Sequence, residues 1–228
     1  MERKVAFFDI DGTVFRSSLL IELVEAFVSK GIFPSEALTM YQTQYLAWMN
    51  RDGSYESYMD AVVKTFLHFL KGVHYGQLAD VGRDVVQKSE RHVYRYTRDL
   101  ITRLKKENYF LVAISQSPKT ILDEFCKSYG FHKVYGRVYE IGPQDRFTGS
   151  VLDEHLIANK ANIARRIIER EGLSLTGSLG VGDTEGDISF LELMETAICF
   201  NPNNSLYVHA KRLGWKVVLE RKDVIYEL

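Results

Sequence analysis

The chain has 228 residues, and 46% of them are hydrophobic, which is enough to bury the core of one large domain or of one domain with an insertion. Its 29 basic and 30 acidic residues leave a formal net charge of −1, so no overall field attracts nucleic acid or an anionic membrane. Only four apolar residues follow residues 1–4, and no segment approaches the length of a membrane span, so we expect neither a signal peptide nor a transmembrane helix. Cys126 and Cys199 match no metal or redox spacing, which favours reduced core residues of a cytoplasmic protein.

The first predicted element is a strand over residues 5–8, an apolar run that stops directly at Asp9. Such a continuous run is typical of a strand buried on both faces in a parallel sheet. Asp9 and Asp11 then follow its carboxyl end, where ligands bind in open α/β sheets. Gly12 permits a sharp turn. The pattern predicts an active-site strand, although Asp and Gly are also ordinary turn residues.

The next segment has apolar residues at helical spacing throughout, with caps and glycines that divide it into several helices. The helices are expected over about 19–28, 34–49, 54–72 and 77–106, the last one broken once.

A parallel strand is normally reached after a single crossover helix, so this much helix predicts an inserted subdomain. We assign residues 15–94 to an all-helical cap, and residues 1–14 and 95–228 to the α/β core. The aromatic residues and methionines of the cap indicate either an apolar substrate pocket or, as we favour, the core of the small bundle. Four basic side chains are placed to reach a substrate from the cap, although most should be ordinary solvated residues: Arg51, Arg83, Arg91 and His92.

Further strands are predicted after the cap, and polar residues again stand at their ends. Residues 109–114 form an apolar run that ends at Ser115, and Ser117 suits a helix N-cap with Pro118 at the first helical position, so a helix N-terminus that favours anions should open beside Ser115. The remaining strands are expected at 178–182, 197–200 and 216–219, with a hairpin arm at 147–151. Residues 134–151 otherwise alternate too irregularly to assign.

A helix over about 158–171 carries Lys160 in its first turn. A cation there opposes the helix dipole, so it is either solvated or compensated by a nearby anion.

Four groups now follow one another along the chain and together form a recognisable pattern: Asp-x-Asp-Gly-Thr at 9–13, Ser115, Lys160, and Gly-Asp-x-x-x-Asp at 182–187. In this order the sequence resembles the haloacid dehalogenase-like phosphohydrolases, and within them the phosphoserine-phosphatase-like branch, over essentially the whole chain. The resemblance implies a Rossmann-like parallel sheet with an inserted all-helical cap. It also implies a magnesium-dependent reaction in which Asp9 is phosphorylated and Asp11 is the general acid and base.

The residue chemistry agrees with that resemblance. Mg²⁺ prefers hard oxygen ligands, which Asp9, Asp183 and the backbone carbonyl of Asp11 would supply. Ser115, the adjacent Gln116 and nearby backbone N–H groups would hold the transferring phosphoryl oxygens, and Lys160 would neutralise the charge that spreads over them. Asp11 must be protonated to act as the acid, so its pKa should be raised. Asp187 is better placed to orient Lys160 or a metal-bound water than to bind the metal.

We therefore predict a cytoplasmic phosphatase that hydrolyses a small phosphate monoester and has no nucleic-acid partner; its leaving group and oligomeric state stay open. Two alternatives remain. One is a phospho-accepting signalling domain, against which the large cap argues because a partner protein would need access. The other is a peripheral phosphatase of a phosphorylated lipid headgroup.

One departure from the family concerns substrate choice. The glutamate that reads the amino group of phosphoserine stands nine residues after the nucleophile in that family, and here this position is Ser18. Glu22 is the nearest acid on the same predicted helix face, one turn further along. We therefore expect a poor phosphoserine phosphatase.

Overall fold

The computed structural model describes residues 2–152, 157 and 159–228, and it contains one eight-stranded sheet. The spatial order of the strands is β4-β3-β2-β1-β5-β6-β7-β8. Strands β3, β2, β1, β5, β6 and β7 are parallel, and the edge strands β4 and β8 are antiparallel to their neighbours. The strands are β1 (Arg3–Phe8), β2 (Phe110–Pro118), β3 (Lys133–Ile141), β4 (Phe147–Leu152), β5 (Leu173–Gly182), β6 (Thr196–Phe200), β7 (Lys216–Arg221) and β8 (Val224–Glu227).

Six helices lie between β1 and β2, which confirms the predicted all-helical insertion in an α/β core. They are α1 (Leu19–Ser29), α2 (Glu36–Thr39), α3 (Gln42–Met49), α4 (Tyr55–Leu70), α5 (Tyr75–Ser89) and α6 (Arg95–Lys106). The later helices are α7 (Lys119–Tyr129), α8 (Lys160–Glu171), α9 (Ile188–Leu191) and α10 (Asn204–Leu213), with 3-10 turns at Pro143–Asp145 and Glu185–Asp187. Among the described residues, we find no helix with the length and apolar character needed to cross a membrane.

Strand β1 is the centre of the sheet, as its apolar run predicts. Val5 and Phe7 pack into the hydrophobic cluster on one face, whereas Ala6 and Phe8 pack into the cluster on the other. Alternate side chains of a strand point to opposite faces, so a fully apolar run suits only a strand covered on both sides. β1 pairs with β2 on one side and β5 on the other, so the carboxyl ends of these three strands lie together.

Several predicted boundaries are wrong by a few residues. The helix expected over 34–49 is two helices, because Tyr41 leaves the helical conformation (φ −108°, ψ 5°) and its buried ring packs 5.8 Å from that of Tyr58. The helix after Ser115 begins at Lys119 rather than at Pro118, because Pro118 is still extended (ψ 130°) and ends β2. The prediction that a helix begins near residue 158 falls on a position outside the described residues.

Two strands, β3 and β8, were not predicted from the sequence. β3 covers part of the irregular segment 134–151, and β8 is the last strand of the chain. Both are partly exposed along their length, so neither shows the continuous apolar run that marks the central strands. The hairpin arm expected at 147–151 is present as β4, which is antiparallel to β3.

The chain passes between the sheet and the helical insertion through two adjacent antiparallel segments. The Arg16 amide donates to the His92 carbonyl (2.9 Å), and the Tyr94 amide donates to the Val14 carbonyl (3.0 Å). The buried Glu220 of β7 accepts from the Arg16 side chain at 2.6 Å and from the backbone amides of Arg95 and Tyr96. The predicted boundaries at 14/15 and 94/95 fall on these segments; the division into two domains stays a prediction.

Candidate active site

The carboxyl ends of β1 and β5 bring the two aspartates of the predicted site together. Phe8 is in register with Ala113 of β2 and Val181 of β5, and the Asp9 amide donates to the Val181 carbonyl at 2.9 Å. Asp183 follows two residues after Val181, so parallel pairing alone places both carboxylates at one edge of the sheet.

Lys160 is the first residue of α8, and its ammonium is buried between two carboxylates. Its Nζ donates to Asp9 Oδ1 and to Asp187 Oδ1, each at 2.6 Å, and all three side chains are at least nine-tenths buried. Burial alone would lower the pKa of Lys160, but the charges of Asp187 and Asp9 outweigh it and raise that pKa. Lys160 therefore stays charged, and the alternative of a solvated lysine is wrong.

Asp187 holds two parts of the site in place. While its Oδ1 accepts from Lys160, its Oδ2 accepts from the backbone amides of Asp183 (3.0 Å) and Thr184 (3.1 Å). A Cβ at Gly182 would come within 2.6 Å of this carboxylate, so only glycine leaves room for it. With both oxygens used in this way, Asp187 has the geometry of the predicted orienting residue.

The second oxygen of Asp9 has no hydrogen-bond partner among the described residues, although it is buried. Burial raises the pKa of Asp9, Lys160 lowers it, and the Asp187 and Asp11 charges raise it, to about 8 in the protein without a bound cation. Burial also raises the pKa of Asp183, helped by Asp9 and Asp187. A positive charge beyond that of Lys160 is needed to keep these acids ionised.

These residues fit a hard divalent cation. Oxygens of Asp9, Asp183 and Asp187 lie within 4.8 Å of one another, and carboxylate oxygen is the donor type that Mg²⁺ prefers. Since both Asp187 oxygens already accept hydrogen bonds, Asp9 and Asp183 are the better ligands. The Asp183 carboxylate is fixed by Thr13 Oγ1, which donates to its Oδ1 at 3.2 Å. Gly12 (φ 82°) lies against it, where any Cβ would collide with Asp183.

Asp11 lies beside Asp9 with both oxygens bound. Its Oδ1 accepts from the Leu19 amide at 2.6 Å, at the N-terminus of α1, and its Oδ2 accepts from the Ser115 hydroxyl. Burial raises the pKa of Asp11, while the hydrogen bonds from Ser115 and Leu19 lower it less. The direction agrees with the one expected for a general acid.

Ser115 does not occupy the position expected of a direct phosphate ligand. Its hydroxyl donates to Asp11 and accepts from the Ser117 amide at 2.9 Å, and it does not line the cavity of the site. Gln116 and Ser117 do line that cavity. To bind a phosphate oxygen, the Ser115 hydroxyl would first have to leave Asp11, so Ser115 is better suited in this state to position the Asp11 carboxylate.

A cavity of about 170 Å³ lies above these groups, with the core on one side and the helical insertion on the other. Sequence analysis missed the two acids that the insertion places there, Glu56 and Asp60 of α4. The only available signal was their i, i+4 spacing. None of the four basic residues proposed to reach the substrate lines this cavity, and neither does Glu22. The cavity is lined by Asp9, Asp11, Ser18, Leu20, Tyr55, Glu56, Met59, Asp60, Val63, Gln116, Ser117, Lys160, Asp183, Thr184, Glu185, Gly186 and Asn203.

Both interpretations of the aromatic residues hold in part. Tyr58 is buried in the bundle and stacks on Trp48 at 5.6 Å, as a core residue should. Tyr55 instead lines the cavity, and burial together with the charges of Asp11, Asp183 and Asp9 raises its pKa.

The fold and the site together define an α/β enzyme whose site consists of carboxylates and one buried lysine at the ends of the central strands. A family model described as haloacid dehalogenase-like hydrolase matches residues 6–192. The chain belongs to this family, which confirms the resemblance found in the sequence, and it is an enzyme of the phosphatase class.

Individual relatives are distant. A phosphoserine phosphatase of Mycobacterium tuberculosis (strain ATCC 25618 / H37Rv) is 23% identical over 93% of this chain and 69% of its own length. A histidinol-phosphatase of Neisseria meningitidis serogroup C (strain 8013) is 22% identical over 95% of this chain and 98% of its own length. A phosphoserine phosphatase solved as a phospho-aspartyl intermediate analogue has the same fold, with a TM-score of 0.64 and 20% identity over 98% of this chain and 96% of that one.

Proposed function

We propose that this protein hydrolyses a small phosphate monoester in a magnesium-dependent reaction with an aspartyl-phosphate intermediate on Asp9. The proposal rests on the Asp9 carboxylate. Lys160 binds one of its oxygens, and the other is buried beside the cavity with no hydrogen-bond partner among the described residues. A nucleophile needs this combination of a fixed orientation and one free oxygen.

In the first step Asp9 Oδ2 attacks phosphorus, the bond from phosphorus to the leaving oxygen breaks, and Asp11 gives that oxygen its proton. In the second step Asp11 takes a proton from water as the water attacks the phosphorus, which releases inorganic phosphate and restores Asp9. The raised pKa of Asp11 suits this exchange, since the group must carry a proton in one step and lack it in the next.

Charge is the main obstacle to the first step. A carboxylate and a phosphate charge repel each other by about 4 kcal/mol at 4 Å if the effective dielectric constant is roughly 20. Lys160 offsets this only in part, because it already faces both Asp9 and Asp187. Mg²⁺ held by Asp9, Asp183 and the backbone carbonyl of Asp11 would supply the remaining positive charge. Gln116 and Ser117 line the same cavity, and their side chains would be the donors to the phosphate oxygens.

We further propose a cytoplasmic location, because Cys126 and Cys199 are both buried and unpaired, as reduced thiols are in a reducing compartment. Two phosphatases among the relatives act, by their names, on small phosphate monoesters, which supports the substrate class.

The test is phosphate release from p-nitrophenyl phosphate with Mg²⁺ and with EDTA. We expect many turnovers per enzyme with Mg²⁺ and an acid-stable, hydroxylamine-sensitive phosphoenzyme in single-turnover quenching. Asp9→Asn should abolish both while the fold is kept, because it removes the nucleophile and a metal ligand. Asp99→Asn, which neutralises an exposed acid of α6, is the matched control. Turnover retained by a folded Asp9→Asn variant would overturn the covalent mechanism.

A second candidate, a peripheral phosphatase of a phosphorylated lipid headgroup, is favoured by one observation. The short helices α2 and α3 and their link expose the apolar side chains of Leu38, Met40, Leu46 and Met49. Co-sedimentation with liposomes, followed by an assay on the same phosphorylated lipids, separates this candidate from an enzyme that acts on free esters.

A further inference from the structure

Helix α4 has two different faces. Tyr58, Val62 and Phe66 are buried in the core of the insertion. The neighbouring face carries Tyr55, Glu56, Met59, Asp60 and Val63, and all five line the cavity over Asp9. Positions one and four residues apart repeat along this face, so one side of a single helix forms the wall opposite the reacting carboxylates.

This wall is acidic. Glu56 and Asp60 line it, and neither forms an ion pair with any described residue. An acid at Glu56 is also favoured by the dipole of α4, because the residue lies in the first turn. Asp60 lies a full turn further along, beyond the reach of that dipole, and it lines the same cavity.

Among the residues that the structure describes, Lys160 is the only basic one that lines this cavity, and both Asp9 and Asp187 already bind it. Asp9 Oδ2, buried and unpartnered in the same cavity, marks the position of the phosphoryl group. The leaving group must then extend towards the α4 wall. A carboxylate or second phosphate there would meet two negative charges and no free positive one, whereas a cation would meet two partners.

Resting on the proposed phosphatase function, we propose that the leaving group carries a protonated or quaternary nitrogen that is recognised by Glu56 and Asp60. The two residues are specificity determinants rather than catalytic groups. The cavity of about 170 Å³ is near the size that holds one benzene ring, so the nitrogen lies only a few bonds from the ester oxygen.

The experiment compares kcat/KM for three esters of similar size that differ in one terminal group: 2-aminoethyl phosphate, propyl phosphate and phosphoglycolate. In the wild-type enzyme we expect the aminoethyl ester to exceed the propyl ester by about tenfold, as ion pairs with two exposed acids would give together. Phosphoglycolate should be the poorest. The ratio of aminoethyl to propyl should fall about threefold in Glu56→Gln and in Asp60→Asn, and approach one in the double variant.

Glu36→Gln is the control, since it neutralises an exposed acid of the insertion that does not line the cavity, and its ratio should equal that of the wild type. A wild-type ratio near one, a double variant with the wild-type ratio, or phosphoglycolate as the best ester each overturns the inference. If these results accompany normal turnover of p-nitrophenyl phosphate, the proposed function stands and the leaving-group assignment alone fails. Absence of release from all four esters overturns the proposed function, and this inference with it.

Discussion

The two walls of the cavity differ in how their charged side chains are buried and paired. On the core wall Asp9, Lys160 and Asp187 are at least nine-tenths buried and joined at 2.6 Å. On the wall formed by α4, Glu56 and Asp60 are exposed and have no ion-pair partner among the described residues. A buried charge that loses its partner is costly, whereas an exposed one is not. Substitutions on the core wall should therefore change rate and stability together, and substitutions on α4 should change only the choice of substrate.

The largest effect is expected from Lys160→Ala on the core wall. It leaves the buried acids Asp9 and Asp187 without their cation, which should destabilise the fold by about 3 kcal/mol at neutral pH. Activity should fall by about a thousandfold for esters with good and poor leaving groups alike, because the phosphoryl charge is common to every substrate. The measurements are urea unfolding and kcat/KM on two esters.

The control for Lys160→Ala is Lys119→Ala, which breaks an exposed pair with Asp123 and should cost less than about 1 kcal/mol. Equal destabilisation by the two variants would contradict the contrast between buried and exposed charge. A loss of activity confined to poor leaving groups would instead assign Lys160 to the leaving oxygen.

The next largest effect should come from Asp11→Asn, and it should depend on the leaving group. An amide cannot donate the proton that a poor leaving oxygen needs, so alkyl esters should slow by about a hundredfold or more, whereas p-nitrophenyl phosphate should slow much less. In this variant the side-chain amide oxygen can still accept from the Leu19 amide, and the amide nitrogen can donate to Ser115 Oγ, so the fold should be kept. An equal loss for both kinds of ester, measured as kcat/KM, would remove Asp11 from the role of acid.

Much of the core wall could be predicted because it is built by strand ends. Asp9 and Asp183 each follow an apolar run, and parallel pairing necessarily brings such ends to one edge of the sheet. The partners of Lys160 were less visible, because the sequence permits both a solvated and a buried lysine at a helix start. Only the packing of α8 against β5 and α9 decides between them.

The residues of the α4 wall could not be predicted from the sequence, for a different reason. Periodicity showed that α4 has an apolar face, yet it does not tell which of the remaining positions meets a cavity and which meets solvent. That depends on how the helix packs against β4 and the other helices of the insertion, which no local pattern encodes. Strand β3 was not predicted for a similar reason. It is only partly buried and has no continuous apolar run, and what makes it a strand is its pairing with β2 and β4.

The stability of the metal-free protein should also depend on pH, without any substitution. The pKa of Asp9 rises from an unfolded value of 3.8 to about 8, so the folded state binds the proton more tightly. The stability that this proton contributes is complete below pH 3.8 and is lost as the pH rises through 8, by at most about 1.4 kcal/mol per pH unit. Urea midpoints in EDTA from pH 5 to 8 should fall in the wild type and stay flatter in Asp9→Asn. Parallel curves would show that Asp9 is not the titrating group.

The smallest expected effect concerns phosphoserine, which carries both an ammonium and a carboxylate. The position where the phosphoserine-phosphatase-like branch has its glutamate is Ser18, which is 1% exposed and caps α1 by accepting from the Leu20 amide at 3.2 Å. Ser18→Glu would remove that cap and lower the stability by about 1 kcal/mol. A change in activity of this variant could therefore reflect lost stability rather than substrate recognition.

A clearer test substitutes Asp60. The acids of the α4 wall should attract the ammonium of phosphoserine and repel its carboxylate. We expect kcat/KM for phosphoserine to be about tenfold below that for 2-aminoethyl phosphate in the wild type. Asp60→Lys should reverse part of this difference by giving the carboxylate a cation, whereas Asp60→Asn only removes the repulsion and should change the ratio less. If kcat/KM for phosphoserine already exceeds that for 2-aminoethyl phosphate in the wild type, some group other than the α4 acids binds its carboxylate. The assignment of reaction to the core wall and of substrate recognition to the α4 wall would then be wrong.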